Sequence, residues 1–170
     1  MEKRLYLGID ESNHGRTPEV FVAVFSKLEQ DILEHNKLPK RRSNANPLKS
    51  MGRRKYSFLL VNETDFERIP EKEFMGVVAS SLIQEEFDKE NTHLDVFIDG
   101  YLKKSKQIYA KDLISEVHDI PKDYISISSG SKFDQTYKVV NLADSIANHL
   151  FRTLHVKDLS KDKHYKTLLK

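Results

Sequence analysis

Hydrophobic residues along this chain keep two rhythms. Short dense runs read as strands, and longer stretches repeat at helical spacing. Residues 4–10 and 19–26 are dense runs, and the Asn, Gly and Pro between them suit a hairpin-like reversal. Lys55-Tyr56-Ser57-Phe58-Leu59-Leu60-Val61 predicts a third strand and residues 94–99 a fourth. Tyr124-Ile125-Ser126-Ile127-Ser128 alternates as a fifth, ended by Ser129-Gly130-Ser131. Phe74, Val77, Val78, Leu82 and Ile83 predict a helix from about Glu71 to Asp88. Ile108, Leu113, Ile114 and Val117 form the stripe of a second helix over about 104–117. In a last helix over about 135–154, Val139, Ala143, Ile146, Leu150 and Leu154 share one face.

The predicted order is β-β-β-α-β-α-β-α. Three strands joined without helices form an antiparallel half, and strands joined through helices form a parallel half with right-handed crossovers. The expected fold class is therefore α/β, a five-stranded mixed sheet with helices on its faces. At 170 residues the chain is most economically one domain. Its expected extent is residues 1–156, with a basic insertion at 36–55. A charged tail at 157–170 is expected to pack loosely apart from Leu168 and Leu169.

Acidic residues occupy particular places in this pattern. The first strand ends on Asp10-Glu11, whose side chains alternate to opposite faces. The fourth ends on Asp99, and Asp144 lies on the last helix about 100° round from Ala143, at the border of the buried face. With the first and fourth strands side by side at mid-sheet, Asp10 and Asp99 fall at neighbouring strand ends, and Asp144 can lean toward them with Asn141 and Asn148 on its flank. Clustered carboxylates repel unless a cation compensates them. Mg²⁺ or Mn²⁺ suits an all-oxygen site, and such ions activate water in phosphoryl displacement. Taken singly, Asp99 before Gly100 reads as a turn former, and Asp144 as a helix-surface acid. Asp134 is either a fourth ligand or, more in keeping with its position, the N-cap of the last helix.

Charge is unevenly distributed along the chain. The net charge is only +2, yet no acid lies between Glu34 and Glu63, a window holding Lys37, Lys40, Arg41, Arg42, Lys49, Arg53, Arg54 and Lys55. The remainder of the chain is net acidic. Lys40, Arg41, Arg42, Arg53, Arg54 and Lys55 are the expected nucleic-acid-binding set, with Lys132 a phosphate contact nearer the acids. The alternative is a solvated surface loop. His14 either touches substrate or stays in solvent, and His149 and His155 lie in or near the last helix. The absence of cysteine excludes disulfides and thiolate metal sites and fits a reducing cytoplasm. No apolar run approaches the roughly 18 residues of a membrane span. The N-terminus leads straight into a strand, so a cytoplasmic protein is expected.

Over most of its length this layout resembles the ribonuclease H-like superfamily of metal-dependent nucleases. Gly8-Ile9-Asp10-Glu11-Ser12 is similar to the G-I-D-E-A opening of type 2 ribonucleases H. It resembles more closely the I-D-E-S opening of a group of predicted RNase H-like domains. Asn141-Leu142-Ala143-Asp144-Ser145-Ile146-Ala147 is similar to the (Q/N)-L-A-D-x-I-A helix of that group. The resemblance implies an RNase H-like sheet and Asp10, Asp99 and Asp144 as catalytic metal ligands, with Glu11 the second acid of the opening. Type 2 enzymes continue with Gly-Arg-Gly, which reads the RNA–DNA junction. Here Ser12-Asn13-His14-Gly15-Arg16 follows instead.

Three functions are compatible with the sequence. The first is a Mg²⁺- or Mn²⁺-dependent nuclease acting on RNA, RNA–DNA hybrid or structured DNA. The second is a noncatalytic nucleic-acid-binding module on the same fold, which the full set of acids disfavours. The third, a nucleotide-binding lobe of the actin and sugar-kinase type, needs a second lobe and Gly-rich phosphate loops. This chain has six glycines. Oligomeric state is open.

Overall fold

The structure, a computed structural model, describes residues 3–12, 17–40, 46–83, 91–154 and 156–169. The five predicted strands form as β1 (Lys3–Glu11), β2 (Glu19–Ser26), β3 (Lys55–Val61), β4 (Thr92–Asp99) and β5 (Ile125–Gly130). They make one mixed sheet in the order β3-β2-β1-β4-β5. Its β3-β2-β1 half is antiparallel and its β1-β4-β5 half parallel. β1 and β4 are neighbours at mid-sheet, as the apolar pattern predicts.

Alternation along the strands divides the core in two. Leu5, Leu7, Ile9, Leu94, Val96 and Ile98 face a cluster with Val78, Leu82 and Ile114, which lie on α2 (Glu71–Leu82) and α3 (Lys104–His118). Val20, Val22, Val24 and Phe58 face the other way, against Val139, Val140, Ala143, Ile146 and Leu150. These last lie on α5 (Lys138–Thr153), whose buried face is the predicted one. A short helix, α1 (Glu63–Arg68), had no signal in the apolar pattern. It is fixed by a capping box in which the Asn62 side chain and the Asp65 carboxylate exchange bonds with each other's backbone.

Several expectations differ from the structure. In α3 the buried residues are Ala110, Ile114 and His118, whereas Ile108 and Val117 are exposed. The face is chosen by α2: Gly76 lets Tyr109 and Ala110 approach so closely that a Cβ there would stand 2.8 Å from the Tyr109 ring. His118 Nε2 is then within 2.8 Å of the buried Ser80 carbonyl. The helix after Glu71 ends at Leu82, and the expected remainder to Asp88 falls mostly outside the described residues. The C-terminal segment is not loose. His164 and Lys166 bracket Phe58 in a short parallel ladder and Leu159 is buried, whereas the packing of Leu168 and the Leu169 amide bond to Ser81 Oγ agree with the expectation.

Arg54, expected among the phosphate contacts, instead holds the buried Asp31 with two bonds, Nε to Oδ2 at 2.6 Å and Nη2 to Oδ1 at 2.8 Å. Ser26 Oγ donates to the same carboxylate at 2.6 Å. Burial pushes the Asp31 carboxyl up, but the bonds from Arg54 and Ser26 outweigh it and leave it below the ordinary value. Asp31→Ala is expected to cost about 2–4 kcal/mol in urea unfolding, because it strands a largely buried guanidinium. Arg54→Ala should cost a similar amount, and the double variant less than the two together. Additive costs would show that the pair is not coupled.

Candidate metal centre

The site grows from the parallel pairing of the two central strands. Leu7 stands opposite Val96, Gly8 opposite Phe97 and Ile9 opposite Ile98, so Asp10 and Asp99 follow at adjacent carboxyl ends. Gly8 and Asp10 lie on the α5 side of the sheet, since Leu7 and Ile9 are in the core on the other. α5 crosses directly over Gly8, where a Cβ would meet the Val139 carbonyl and come within 2.6 Å of the Val140 nitrogen. That close approach sets Asp144, one turn beyond Val140, beside Asp10.

The predicted last helix is broken in two. A single turn, α4 (Phe133–Thr136), is followed by the extended Tyr137 before α5 begins. Aromatic packing fixes the break: Phe133 lies on Gly130, where no Cβ would fit, and meets Tyr137 edge-on at 4.8 Å. The capping bond expected of Asp134 is therefore made by Asp99. Asp99 Oδ1 accepts the Asp134 amide at 3.1 Å and so caps α4. The Asp134 carboxylate is released to join the cluster, and Asp10, Asp134 and Asp144 each place an oxygen within 4.8 Å of the other two. Asp99 adjoins this trio. Glu11 turns to the other face, where it lines a small cleft with Asp99, Gly100 and Tyr101.

The electrostatics are those of acids gathered in a partly dry place. Burial, then the charges of Asp99, Glu11 and Asp144, push Asp10 up to about 10. Burial and Asp99 push Glu11 up to about 7. Burial takes Asp99 to about 6, with Asp134 and Asp144 adding to it and the Asp134 amide opposing. Asp144 is raised by burial and Asp134, against the pull of Lys40. Asp10 is only 3% exposed, and while its Oδ1 accepts the Glu11 amide at 2.8 Å, its Oδ2 is buried without a hydrogen-bond partner. An orphaned carboxylate oxygen inside an all-oxygen trio fits a hard divalent cation such as Mg²⁺ or Mn²⁺.

Neighbouring polar groups brace the trio. Asn148 Nδ2 donates to Asp144 Oδ1 at 3.2 Å. Asn141 Nδ2 reaches the Asp134 carbonyl at 3.0 Å and the Pro39 carbonyl at 3.3 Å, tying the residue before Lys40 to α4. The basic window therefore divides. Lys40 is felt at Asp144, and the exposed Lys132 sits at the N-cap of α4. Arg53 and Lys55 lie at the opposite end of the sheet, while Arg54 is bound to Asp31. Arg41, Arg42, His14 and His155 lie outside the described residues. His149 is half-buried, and burial lowers its pKa.

No family model and no curated protein matches the chain. Solved structures do. A point mutant of Bst-RNase HIII aligns with a TM-score of 0.56 at 14% identity, over 89% of this chain and 53% of that one. The Mn²⁺ complex of Bst-RNase HIII gives the same values, so the chain spans about half the length of those structures. RNase HII from Archaeoglobus fulgidus, in its complex with PCNA, aligns with a TM-score of 0.57 at 13% identity, over 96% of this chain and 81% of that one. Ribonuclease H2 from Pyrococcus horikoshii OT3 gives 0.53 at 17%, over 95% and 80%. The chain has an RNase H-like fold. Among the described residues, no helix is long and apolar enough to cross a membrane.

Proposed function

We propose that this protein is a Mg²⁺- or Mn²⁺-dependent nuclease that hydrolyses phosphodiester bonds in RNA, RNA–DNA hybrid or structured DNA. The observation that carries the reading is the buried Asp10 with its unpartnered Oδ2, gathered with Asp134 and Asp144 at the carboxyl end of β1 in an RNase H-like sheet. Asp10, Asp134 and Asp144 hold the metal. When bound, a divalent ion there supplies Lewis-acid charge to the scissile phosphate and lowers the pKa of an attacking water. Asp99 positions Asp134 through its amide and adds negative charge next to the trio. Asn148 and Asn141 keep Asp144 and α4 in place. Lys40 offsets the acids and is poised to meet a phosphate oxygen, and Glu11 stands at the mouth on the far face. No covalent enzyme intermediate is required.

The test is incubation with end-labelled single-stranded RNA, RNA–DNA hybrid and branched DNA, each with Mg²⁺, with Mn²⁺ and with chelator. Cleavage of at least one substrate, lost in chelator, is the expected result. Binding without cleavage of any of the three, in either metal, would leave the noncatalytic module as the correct reading.

A further inference from the structure

A second functional surface lies at the other pole of the sheet. β1 runs from this pole at Leu5 to the carboxylates at Asp10, about 16 Å away at roughly 3.3 Å per residue. Here Leu5, Phe25, Leu28, Leu48 and Met51 floor an open groove with a volume of about 1120 Å³. That is somewhat above the roughly 300–1,000 Å³ usual for small-molecule sites. Its rim carries Lys27, Arg53, Lys55, Lys163 and Lys166, with Arg54 turned inward to Asp31. Among the described residues, no acidic side chain lines it, although the chain has 26 acids. These cations come from three segments far apart in sequence, which the fold brings to one place.

Two details make this a shaped surface and not a scatter of lysines. The C-terminal segment is held in register on β3, with Phe58 N–H donating to the His164 carbonyl at 3.0 Å and Lys166 N–H to the Phe58 carbonyl at 2.8 Å. Lys163 and Lys166 are thereby fixed along the groove wall. Between them, the His164 ring stacks on Tyr56 with centroids 4.0 Å apart, and His164 Nδ1 is anchored to Asp162 Oδ1 at 2.9 Å. An ordered aromatic pair, an apolar floor and a rim of cations are the combination that binds single-stranded nucleic acid, phosphates on the cations and bases on the apolar surface.

We infer that this groove binds a single-stranded nucleic-acid segment away from the carboxylates, so that a strand flanking the cleaved bond is held at the opposite pole. The choice of ligand class rests on the nuclease reading; the groove itself does not.

Binding is measured by fluorescence anisotropy of labelled 20-nucleotide oligo(U) and oligo(dT) in chelator, where no cleavage occurs, over a salt series. The variants are Arg53→Ala/Lys55→Ala/Lys163→Ala, all exposed positions, and Lys104→Ala/Lys111→Ala on α3 as a control. At about 0.7 log–log units per single-strand contact, the triple variant should flatten the salt slope by about two. Between 50 and 200 mM salt it should therefore lose about 20-fold less affinity than the wild type. The control should match the wild type. An unchanged slope in the triple variant, or no binding by the wild type at 50 mM salt, would overturn the inference. So would oligoglutamate of equal charge competing as well as oligo(U), which would assign the groove to acidic protein segments. Because the readout is taken without metal, the groove can prove correct even if no substrate is ever cleaved, and the reverse also holds.

Discussion

Asp10→Asn is expected to abolish metal-dependent cleavage, by well over 100-fold, since even an outer-sphere partner of a metal ligand is worth about 10–100-fold. The amide keeps the shape of the carboxylate and still accepts the Glu11 amide, but brings no charge to a cation. In chelator the same variant should be more stable than the wild type at neutral and alkaline pH. The sign follows from linkage: the unfolded Asp10 gives up its proton near pH 4, whereas the folded one keeps it up to about pH 10. Metal-free stability thus declines as pH rises above about 4, and Glu11 and Asp99, raised to about 7 and about 6, contribute to the same decline. Thermal unfolding in chelator from pH 5 to pH 8 should show a falling melting temperature for the wild type and a flatter profile for Asp10→Asn. Near-normal cleavage by the variant would remove Asp10 from the mechanism.

Gly8→Ala should produce the largest structural effect of any single methyl group added near the site. The new Cβ would collide with the backbone of α5 at Val139 and Val140, which cannot rotate away as a side chain can. Overpacking typically costs about 1–3 kcal/mol, and a clash with backbone belongs at or above the top of that range. α5 has to lift from β1, carrying Asp144 away from Asp10, so metal affinity should fall together with stability. Gly100→Ala is the informative contrast. Its surroundings are open, so its cost should come only from the strained φ of +96°. Equal metal affinity in Gly8→Ala and wild type would show that the α5 contact does not set the trio.

Much of the fold was legible in the sequence because the apolar rhythm is strong where elements are long. Strands β1 to β4 and the buried face of α5 follow directly from Leu5 to Ile9, Val20 to Val24 and the Val139–Leu150 stripe. The α3 face was misread because Ile108 and Val117 are apolar but exposed, whereas the residues that meet α2 are Ala110, Ile114 and His118. Hydrophobicity could not report that choice; it depends on the gap left by Gly76. Neighbouring strand ends for Asp10 and Asp99 were predictable from topology. The capping bond made by Asp99 in place of Asp134 was not, since it depends on Phe133 and Tyr137 breaking the helix through contacts with Gly130 and Phe97. The only available signal was the run Gly130-Ser131-Lys132, with two turn-formers just ahead of Asp134. Similarly, a continuous basic window in sequence gave no sign that Lys40 and Lys55 would end at opposite poles. β2 and β3 lie antiparallel, so Phe25 and Lys55 sit side by side at one pole, whereas Pro39, whose carbonyl accepts from Asn141, lies at the other.

The most direct measurement is a calorimetric titration of Mn²⁺ into the metal-free protein at pH 7.5, in parallel with Asp10→Asn and Asp134→Asn. Saturable binding to the wild type, with proton release because ions displace protons from raised carboxyls, and weakening of at least about tenfold in both variants, is the expected outcome. A wild type that binds no Mn²⁺ at millimolar concentration, or two variants that bind it as the wild type does, would contradict the assignment of these carboxylates to a metal.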